Sequence, residues 1–257
     1  MMRIIFYVLL LCLSVSACAQ DSGAEKLPAA KSVSGFQDCP DCPEMVVIPG
    51  GSFDMGSNDG EEDEKPVHRV TFSRAFAMGK TEVTESQWRA VMGDNPGDCG
   101  DNCPVEEVSW DDAQEFIHRL NQKTGQQYRL SSEAEWEYAC RAGEQQEYCG
   151  SESVDSVAWT ESNSGKTAHP VGGKQANALG LYDMSGNVWE WVEDSSHDSY
   201  KGAPTDGSDW QGGGAKRMLR GGSWDDDPKT ARAANRYELE PADGMDGVGF
   251  RLVRMLP

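Results

Sequence analysis

The sequence predicts one loop-rich α+β domain, and three observations lead to this fold class. The chain contains 28 glycines and 8 tryptophans, which indicate many tight turns and a core built on large aromatic side chains. Helix-capping signals occur three times in the first two thirds of the chain. The C-terminal part alternates short apolar runs with polar, glycine-bearing loops and shows no helical period.

Apolar runs predict the first strands. Residues 45–48 form such a run, which ends at the Pro-Gly-Gly of residues 49–51. Residues 53–55 then alternate apolar and polar side chains, so we expect a β-hairpin over 45–55. Residues 68–72 alternate in the same way and predict the next strand.

Three helices follow, each announced by a capping box. The boxes are Thr84 to Gln87, Ser109 to Asp112 and Ser132 to Glu135, in which the first side chain and the third residue after it cap each other's backbone N–H groups. We expect the second helix to end at Gly125 and the third near Gly143, since glycine adopts the left-handed conformation that ends a helix.

The net charge is −20, and it excludes two classes of partner. Phosphate backbones and anionic lipid surfaces both require an excess of lysine and arginine. We therefore expect no nucleic acid as a partner. Strong like charge also favours a soluble monomer.

The N-terminal segment indicates export. Residues 1–19 carry one arginine and then an apolar stretch too short to span a membrane, as in a signal peptide. Cleavage before a lipidated Cys18 or ordinary cleavage after Ala19 both fit, and we favour the lipoprotein. Residues 20–38 are small and polar and predict a flexible tether. The domain of residues 39–257 would then lie in the cell envelope (periplasm or outer membrane) or be secreted, contacting membrane only through its lipid.

Six cysteines remain in the expected domain, and their spacing favours local disulfides. An even number in an exported chain indicates bridges, although six cysteines allow 15 pairings. We expect pairing of neighbours, with a zinc site as the alternative for the first four. The pairs are Cys39 with Cys42, Cys99 with Cys103, and Cys140 with Cys149.

Seven stretches in this order resemble the formylglycine-generating-enzyme (sulfatase-modifying factor) family. The resemblance implies a C-type-lectin-like fold from about Cys39 to the C-terminus. The stretches are MVVIPGGSFDMG at 45–56, KTEVT at 80–84, PVEEVSWDDA at 104–113, YRLSSEAEWEY at 128–138, GLYDMSGNVWEW at 180–191, LRGGSW at 219–224 and GFR at 249–251.

The same resemblance argues against the family's oxidation chemistry in this chain. The family's oxidases bind copper(I) through two cysteines that follow the Gly-Gly-Ser-aromatic motif. Counted from Gly221, those positions are Asp226 and Ala231, and no cysteine follows Cys149. Copper(I) is a soft cation that requires thiolates, so we expect no copper and no catalytic residues of that type.

The resemblance also implies a structural calcium site in residues 180–191. Its ligands would be the carboxylates of Asp183 and Glu190 and the backbone carbonyls of Gly186 and Val188. Carboxylates and turn carbonyls are oxygen ligands of the kind calcium prefers. The alternative is a glycine turn in which Glu190 is solvated or paired with an arginine.

The expected function is non-catalytic binding of a protein or small ligand. In the family's fold the segment after Gly-Gly-Ser-Trp covers the former active-site face, and loop-borne polar and aromatic side chains suit recognition. The candidate ligand-binding residues are Trp224, Asp225, Asp226, Asp227, Asn235, Tyr237, Glu238, Glu240, Asp243 and Asp246.

Three other functions stay open at this point. The first is an oxidoreductase-like enzyme of the family with a non-standard site, for which Asp226 and its neighbouring aspartates are candidate metal ligands. The second is a retroelement-diversified variable surface protein, which the C-terminal pattern also resembles. The third is an envelope assembly lipoprotein that acts through protein contacts alone.

Overall fold

The computed structural model describes residues 34–94 and 97–256. The predicted signal peptide, Cys18 and most of the tether lie outside these residues. The described part contains short strands and helices joined by long loops, and it confirms the α+β class. The strands are β1 Gly35–Phe36, β2 Met45–Ile48, β3 Gly51–Met55, β4 His68–Phe72, β5 Phe76–Gly79, β6 Tyr128–Leu130, β7 Trp189–Ser195, β8 Arg217–Arg220, β9 Tyr237–Leu239, β10 Val248–Phe250 and β11 Leu252–Arg254.

The helices confirm the capping signals. The hydroxyls of Thr84, Ser109 and Ser132 each accept the expected backbone N–H, and all three boxes are reciprocal. The second helix ends at Gly125, whose φ is 69°; the third ends one residue before Gly143. Within the described residues, no helix has the length and apolar character to cross a bilayer. The helices are α1 Glu85–Met92, α2 Trp110–Thr124, α3 Glu133–Arg141 and α4 Val154–Val157, with 3₁₀ turns at Glu62–Glu64 and Pro228–Ala231.

Three sheets organise the domain, and they correct two sequence predictions. The sheets have the orders β1-β2-β5-β11-β6, β10-β7-β8-β9 and β3-β4. The predicted hairpin over 45–55 is wrong, because β2 pairs with β5 while β3 pairs with β4. At the bend between them, the Pro49 carbonyl accepts the hydroxyl of Tyr138 at 3.0 Å. The tether ends earlier than predicted, since Gly35 and Phe36 pair with β2.

Two large apolar clusters form the core, and aromatic side chains dominate their contacts. In one cluster Trp88 stacks on Phe116 at 5.6 Å, and Phe116 meets the edge of Phe250 at 5.4 Å. In the other, Tyr138 packs on Phe72 at 4.7 Å between α3 and the small sheet. These contacts confirm the aromatic core and hold α1, α2 and α3 against the sheets.

The disulfides form as the spacing predicted. Cys39 is bonded to Cys42, Cys99 to Cys103 and Cys140 to Cys149. Every cysteine of the described residues is therefore in a bridge, and the zinc alternative for the first four is wrong.

A buried network of charges ties α3 to the end of β8. The Arg220 guanidinium contacts Glu133 at 2.7 Å and Glu137 at 2.8 Å, and Arg236 contacts Glu133 at 2.6 Å. Burial alone would raise the pKa of Glu133, but Arg236 and Arg220 outweigh it and lower that pKa to about 2. The network fixes β8, and with it the Gly-Gly-Ser-Trp turn that follows.

Candidate functional site

The Gly-Gly-Ser-Trp turn directly follows β8 and requires its two glycines. Gly221 and Gly222 have φ angles of 104° and 77°, in the left-handed region that disfavours other residues. A Cβ on Gly222 would lie 2.8 Å from the Thr230 Oγ1 atom. The Gly221 carbonyl accepts the Gly186 N–H at 2.8 Å. The turn therefore brings the segment after Trp224 against the loop that precedes β7.

Asp226 and Ala231, the two positions that the resemblance aligns with the copper cysteines, have structural roles here. Asp226 Oδ2 accepts the Trp189 indole N–H at 2.8 Å and a short hydrogen bond from the Ser223 hydroxyl. Ala231 is completely buried, packed in a small cluster that includes Tyr148. A hydrogen-bonded carboxylate and a buried methyl group provide no thiolate for a soft cation.

The ten predicted ligand-binding residues divide into five that line surface depressions and five that do not. Trp224 is half-buried, and its indole N–H donates to Glu106 Oε2 at 2.9 Å. Asp246 lies beside Glu107, and its charge raises the pKa of that carboxyl. Half of the predicted set, by contrast, lines a chain of connected depressions on the surface. That half consists of Asp227, Asn235, Tyr237, Glu238 and Glu240.

We call these connected depressions the trough. The largest has a volume of about 1010 Å³ and shares Glu61 with a second of about 460 Å³. The second shares His197, Asp198 and Glu238 with a third of about 530 Å³. Neither Asp226 nor the neighbouring Trp224 lines any of them. The trough is thus separate from Asp226 and Trp224.

The predicted calcium loop holds one carboxylate with a free oxygen. Asp183 is 3% exposed. Its Oδ2 accepts the Gly172 N–H at 2.6 Å, whereas its buried Oδ1 meets no N–H donor among the described residues, and the carboxyl's further hydrogen bond is with the Glu82 carboxyl. Burial raises the pKa of Asp183 to about 6, because the charged form loses hydration. A cation beside Oδ1 would offset that cost.

Glu190 does not fit the role of calcium ligand. Its two oxygens accept three close contacts from the Arg251 guanidinium, between 2.7 and 3.1 Å, and the Trp136 indole N–H at 2.8 Å. Glu190 and Arg251 are both completely or almost completely buried. Of the alternatives left open by the sequence, the structure therefore shows Glu190 paired with an arginine.

Sequence reasoning missed a second buried carboxylate in this region. Glu82 is 0% exposed; its Oε1 accepts the Asn187 side-chain amide at 3.1 Å, and its Oε2 has no partner within the described residues. Burial and the nearby charge of Asp183 raise the pKa of Glu82 well above its usual value. A sequence signal for this carboxylate was present, since Glu82 lies in the KTEVT stretch. Arg251 likewise lies in the GFR stretch.

Comparisons with known proteins agree with this architecture. Residues 31–256 match the family model described as the sulfatase-modifying factor enzyme 1-like domain. The chain is 32% identical to the chaperone protein LppX of Paenibacillus barcinonensis, covering 88% of this chain and 94% of that protein.

Two solved structures share the fold. PvdO from Pseudomonas aeruginosa matches with a TM-score of 0.81 at 36% identity, over 88% of this chain and 100% of that one. Treponema denticola variable protein 1 matches with a TM-score of 0.80 at 27% identity, again over 88% and 100%. Because the family model spans nearly the whole described region, this chain belongs to the formylglycine-generating-enzyme (sulfatase-modifying factor enzyme 1-like) family and has its loop-rich, C-type-lectin-like α+β fold.

Proposed function

We propose that this chain is an exported, lipid-anchored binding domain without formylglycine-generating activity, which recognises a partner through loops of its C-terminal segment. The observation that carries the proposal is the pair Asp226 and Ala231, a hydrogen-bonded carboxylate and a buried methyl group where copper(I) chemistry needs two thiolates. The names of two relatives, a chaperone protein and a variable protein, are compatible with non-catalytic roles for this fold.

An activity assay on the purified mature domain tests the proposal. The protein is given copper(I), oxygen and a cysteine-containing sulfatase-type peptide, and the peptide mass is followed. We expect no conversion and no tight copper binding by the native chain. The D226C/A231C variant should gain copper(I) affinity, while A231C alone, with one thiolate, should not. Turnover by the native chain above a protein-free control refutes the proposal.

Export and lipid anchoring are tested separately. Mass spectrometry of the mature protein from the producing cell should find an N-terminus at Cys18 carrying acyl chains, and C18S should release the domain from the membrane fraction. A mature N-terminus at Gln20 without acyl chains would refute the lipid anchor and leave export in place.

We also propose a structural calcium ion at Asp183. The residues that would hold it are Asp183, through its Oδ1, and the backbone carbonyls of Gly186 and Val188; we leave Glu190 out because its carboxylate is paired with Arg251. Calcium would neutralise the buried Asp183 carboxylate and join the loop to the start of β7. Its test is thermal melting with and without chelator, developed in the Discussion.

A variable surface protein is the second candidate, favoured by the likeness to Treponema denticola variable protein 1. Sequencing this gene from many isolates tests it. Substitutions concentrated between Trp224 and Gly249 would support diversification, and an even distribution over residues 39–257 would refute it.

A further inference from the structure

Two buried carboxyl groups meet between the KTEVT stretch and the loop that precedes β7. Glu82 lies shortly after β5, and Asp183 lies in that loop. Both residues are at most 3% exposed, and their carboxyl groups are in hydrogen-bonding contact. The backbone brings the two segments together, because the Tyr182 N–H donates to the Lys80 carbonyl at 2.9 Å. The fold therefore places two acidic groups side by side beneath the surface.

Each of these carboxyl groups has one oxygen without a donor. Glu82 Oε1 accepts the Asn187 side-chain amide at 3.1 Å, and Asp183 Oδ2 accepts the Gly172 N–H at 2.6 Å. The remaining oxygens, Glu82 Oε2 and Asp183 Oδ1, are buried and have no donor in hydrogen-bonding geometry within residues 34–94 and 97–256. Buried polar atoms in folded proteins nearly always have a partner. These two oxygens therefore indicate a site for a positively charged ligand.

The charges around the pair leave both carboxylates without a cation of their own. Arg251 is the buried guanidinium that acts on them, but it is in direct contact with Glu190 at 2.7 Å. That contact balances one carboxylate, so ionised Glu82 and Asp183 still add one negative charge each. Burying charges without compensation is costly. A divalent cation offsets both charges at once, whereas a single proton shared by the pair offsets one.

The ligand type and the burial favour calcium. Carboxylates are hard oxygen ligands, and calcium accepts about six to eight oxygens in flexible arrangements, whereas magnesium retains several of its waters. No three His, Cys, Asp or Glu side chains of the described residues come close enough to hold a metal ion. The ion would therefore have two carboxylate ligands and complete its shell with backbone carbonyls and water.

We propose that Glu82 is the second carboxylate ligand of the calcium ion, in place of Glu190, to which the resemblance assigns that role. This inference rests on the calcium ion proposed above at Asp183 and adds a ligand from another segment of the chain. The ion joins the residues after β5 to the loop before β7, through one carboxylate from each. Glu190 stays with Arg251, and the Asn187 amide holds Glu82 in orientation through Oε1.

Calorimetric titration with calcium, together with thermal melting, tests the proposal on the purified mature protein after chelator has removed its metal. The variant E82Q keeps the size of the side chain and removes its charge, and D183N does the same at the other carboxylate. The control E115Q removes one negative charge from an exposed pair with Arg119, so it measures the effect of net charge alone. Magnesium is titrated in parallel.

We expect E82Q to weaken calcium binding roughly a hundredfold, because the number of charged ligands sets calcium affinity. The control E115Q should change the affinity less than about twofold, since exposed charges are screened. In chelator E82Q should melt at or above the native temperature, because it removes one of two like charges in contact and its amide donates to Asp183. In calcium it should melt below the native chain. A residue that only packs would not give this reversal.

The outcomes separate this inference from the calcium proposal itself. If E82Q binds calcium like the native chain while D183N does not, Glu82 is not a ligand and calcium at Asp183 stands. If E82Q melts well below the native chain in chelator, its carboxylate is needed without a cation and the inference is wrong. Magnesium binding as tight as calcium binding overturns the choice of ion. A native chain that binds no calcium overturns both the calcium proposal and this inference.

Discussion

The substitution E190Q separates an internal ion pair from a calcium site. In the native chain the carboxylate of Glu190 neutralises Arg251 in a place where both side chains are at most 1% exposed. Glutamine keeps the shape and removes the charge, so Arg251 retains the carbonyls of Gly79 and Tyr182, at 2.9 and 2.8 Å, but loses the carboxylate that contacts it directly. Leaving a buried charge without its partner costs about 3–5 kcal/mol.

Thermal melting measures that cost. For a domain of this size about 1 kcal/mol shifts Tm by roughly 2–4 °C, so E190Q should melt roughly 6–20 °C below the native chain. Because the lost partner is an arginine, the decrease should be equal in calcium and in chelator. The control E115Q removes an exposed pair with Arg119 and should cost less than about 1 kcal/mol.

The variant D183N should differ from E190Q in how its melting temperature responds to calcium. If calcium binds Asp183, the native chain melts higher in calcium than in chelator, and D183N loses that difference. Should E190Q instead melt like the native chain, or lose stability only when calcium is present, Glu190 would be a cation ligand and the ion-pair reasoning would be wrong. A native chain that melts identically in calcium and chelator would refute the calcium proposal alone.

Three further predictions concern stability. The pKa of Glu133 is lowered to about 2 from an ordinary 4.5. The ionised Glu133 therefore stabilises the fold by about 3 kcal/mol above pH 4.5, and this stabilisation is lost as pH falls toward 2. Denaturant titrations that give a constant free energy of unfolding over that window would contradict this. G222A should lower the free energy of unfolding by about 2–4 kcal/mol, because its Cβ would collide with the Thr230 Oγ1 atom at a left-handed φ. The control G212A, whose Cβ would have no atom within 4 Å, should lower it by about 1 kcal/mol. Equal melting points for the two variants would be inconsistent with the collision. Cys99 is exposed while Cys140 and Cys149 are buried, so reductant should open the Cys99–Cys103 bridge before the Cys140–Cys149 bridge. Alkylation followed by mass spectrometry measures the order, and the reverse order would disprove this reasoning.

Local signals predicted the helices well, because a capping box and its terminating glycine lie within one short segment. Sheet pairing was not predictable in the same way. β2 pairs with β5, which begins almost thirty residues later, and nothing within residues 45–55 distinguishes that partner from the neighbouring β3. The disulfides were predictable because short spacing restricts which cysteines can meet.

The partners of the candidate site residues were not predictable, for a related reason. The resemblance placed Glu190 in a calcium site, but its true partner, Arg251, lies 61 residues away in another motif. In the C-terminal segment, Arg236 stands between two candidate ligand residues and is itself buried against Glu133. Sequence shows which side chains are polar, whereas only the three-dimensional structure shows which of them are already paired.

The residues at the two positions that the resemblance aligns with the copper cysteines are the reason why we favour binding over oxidation chemistry. Asp226 now accepts hydrogen bonds from Trp189 and Ser223, so a cysteine restored there would leave buried donors with a weak acceptor, at a cost of about 1–3 kcal/mol. Ala231 packs in a small apolar cluster with Tyr148, Val157 and Ala158. Both residues thus contribute to the packing around the turn after β8. A hydrogen-bonded carboxylate and a buried methyl group at these positions favour recognition by the surrounding loops over oxidation chemistry that needs two thiolates.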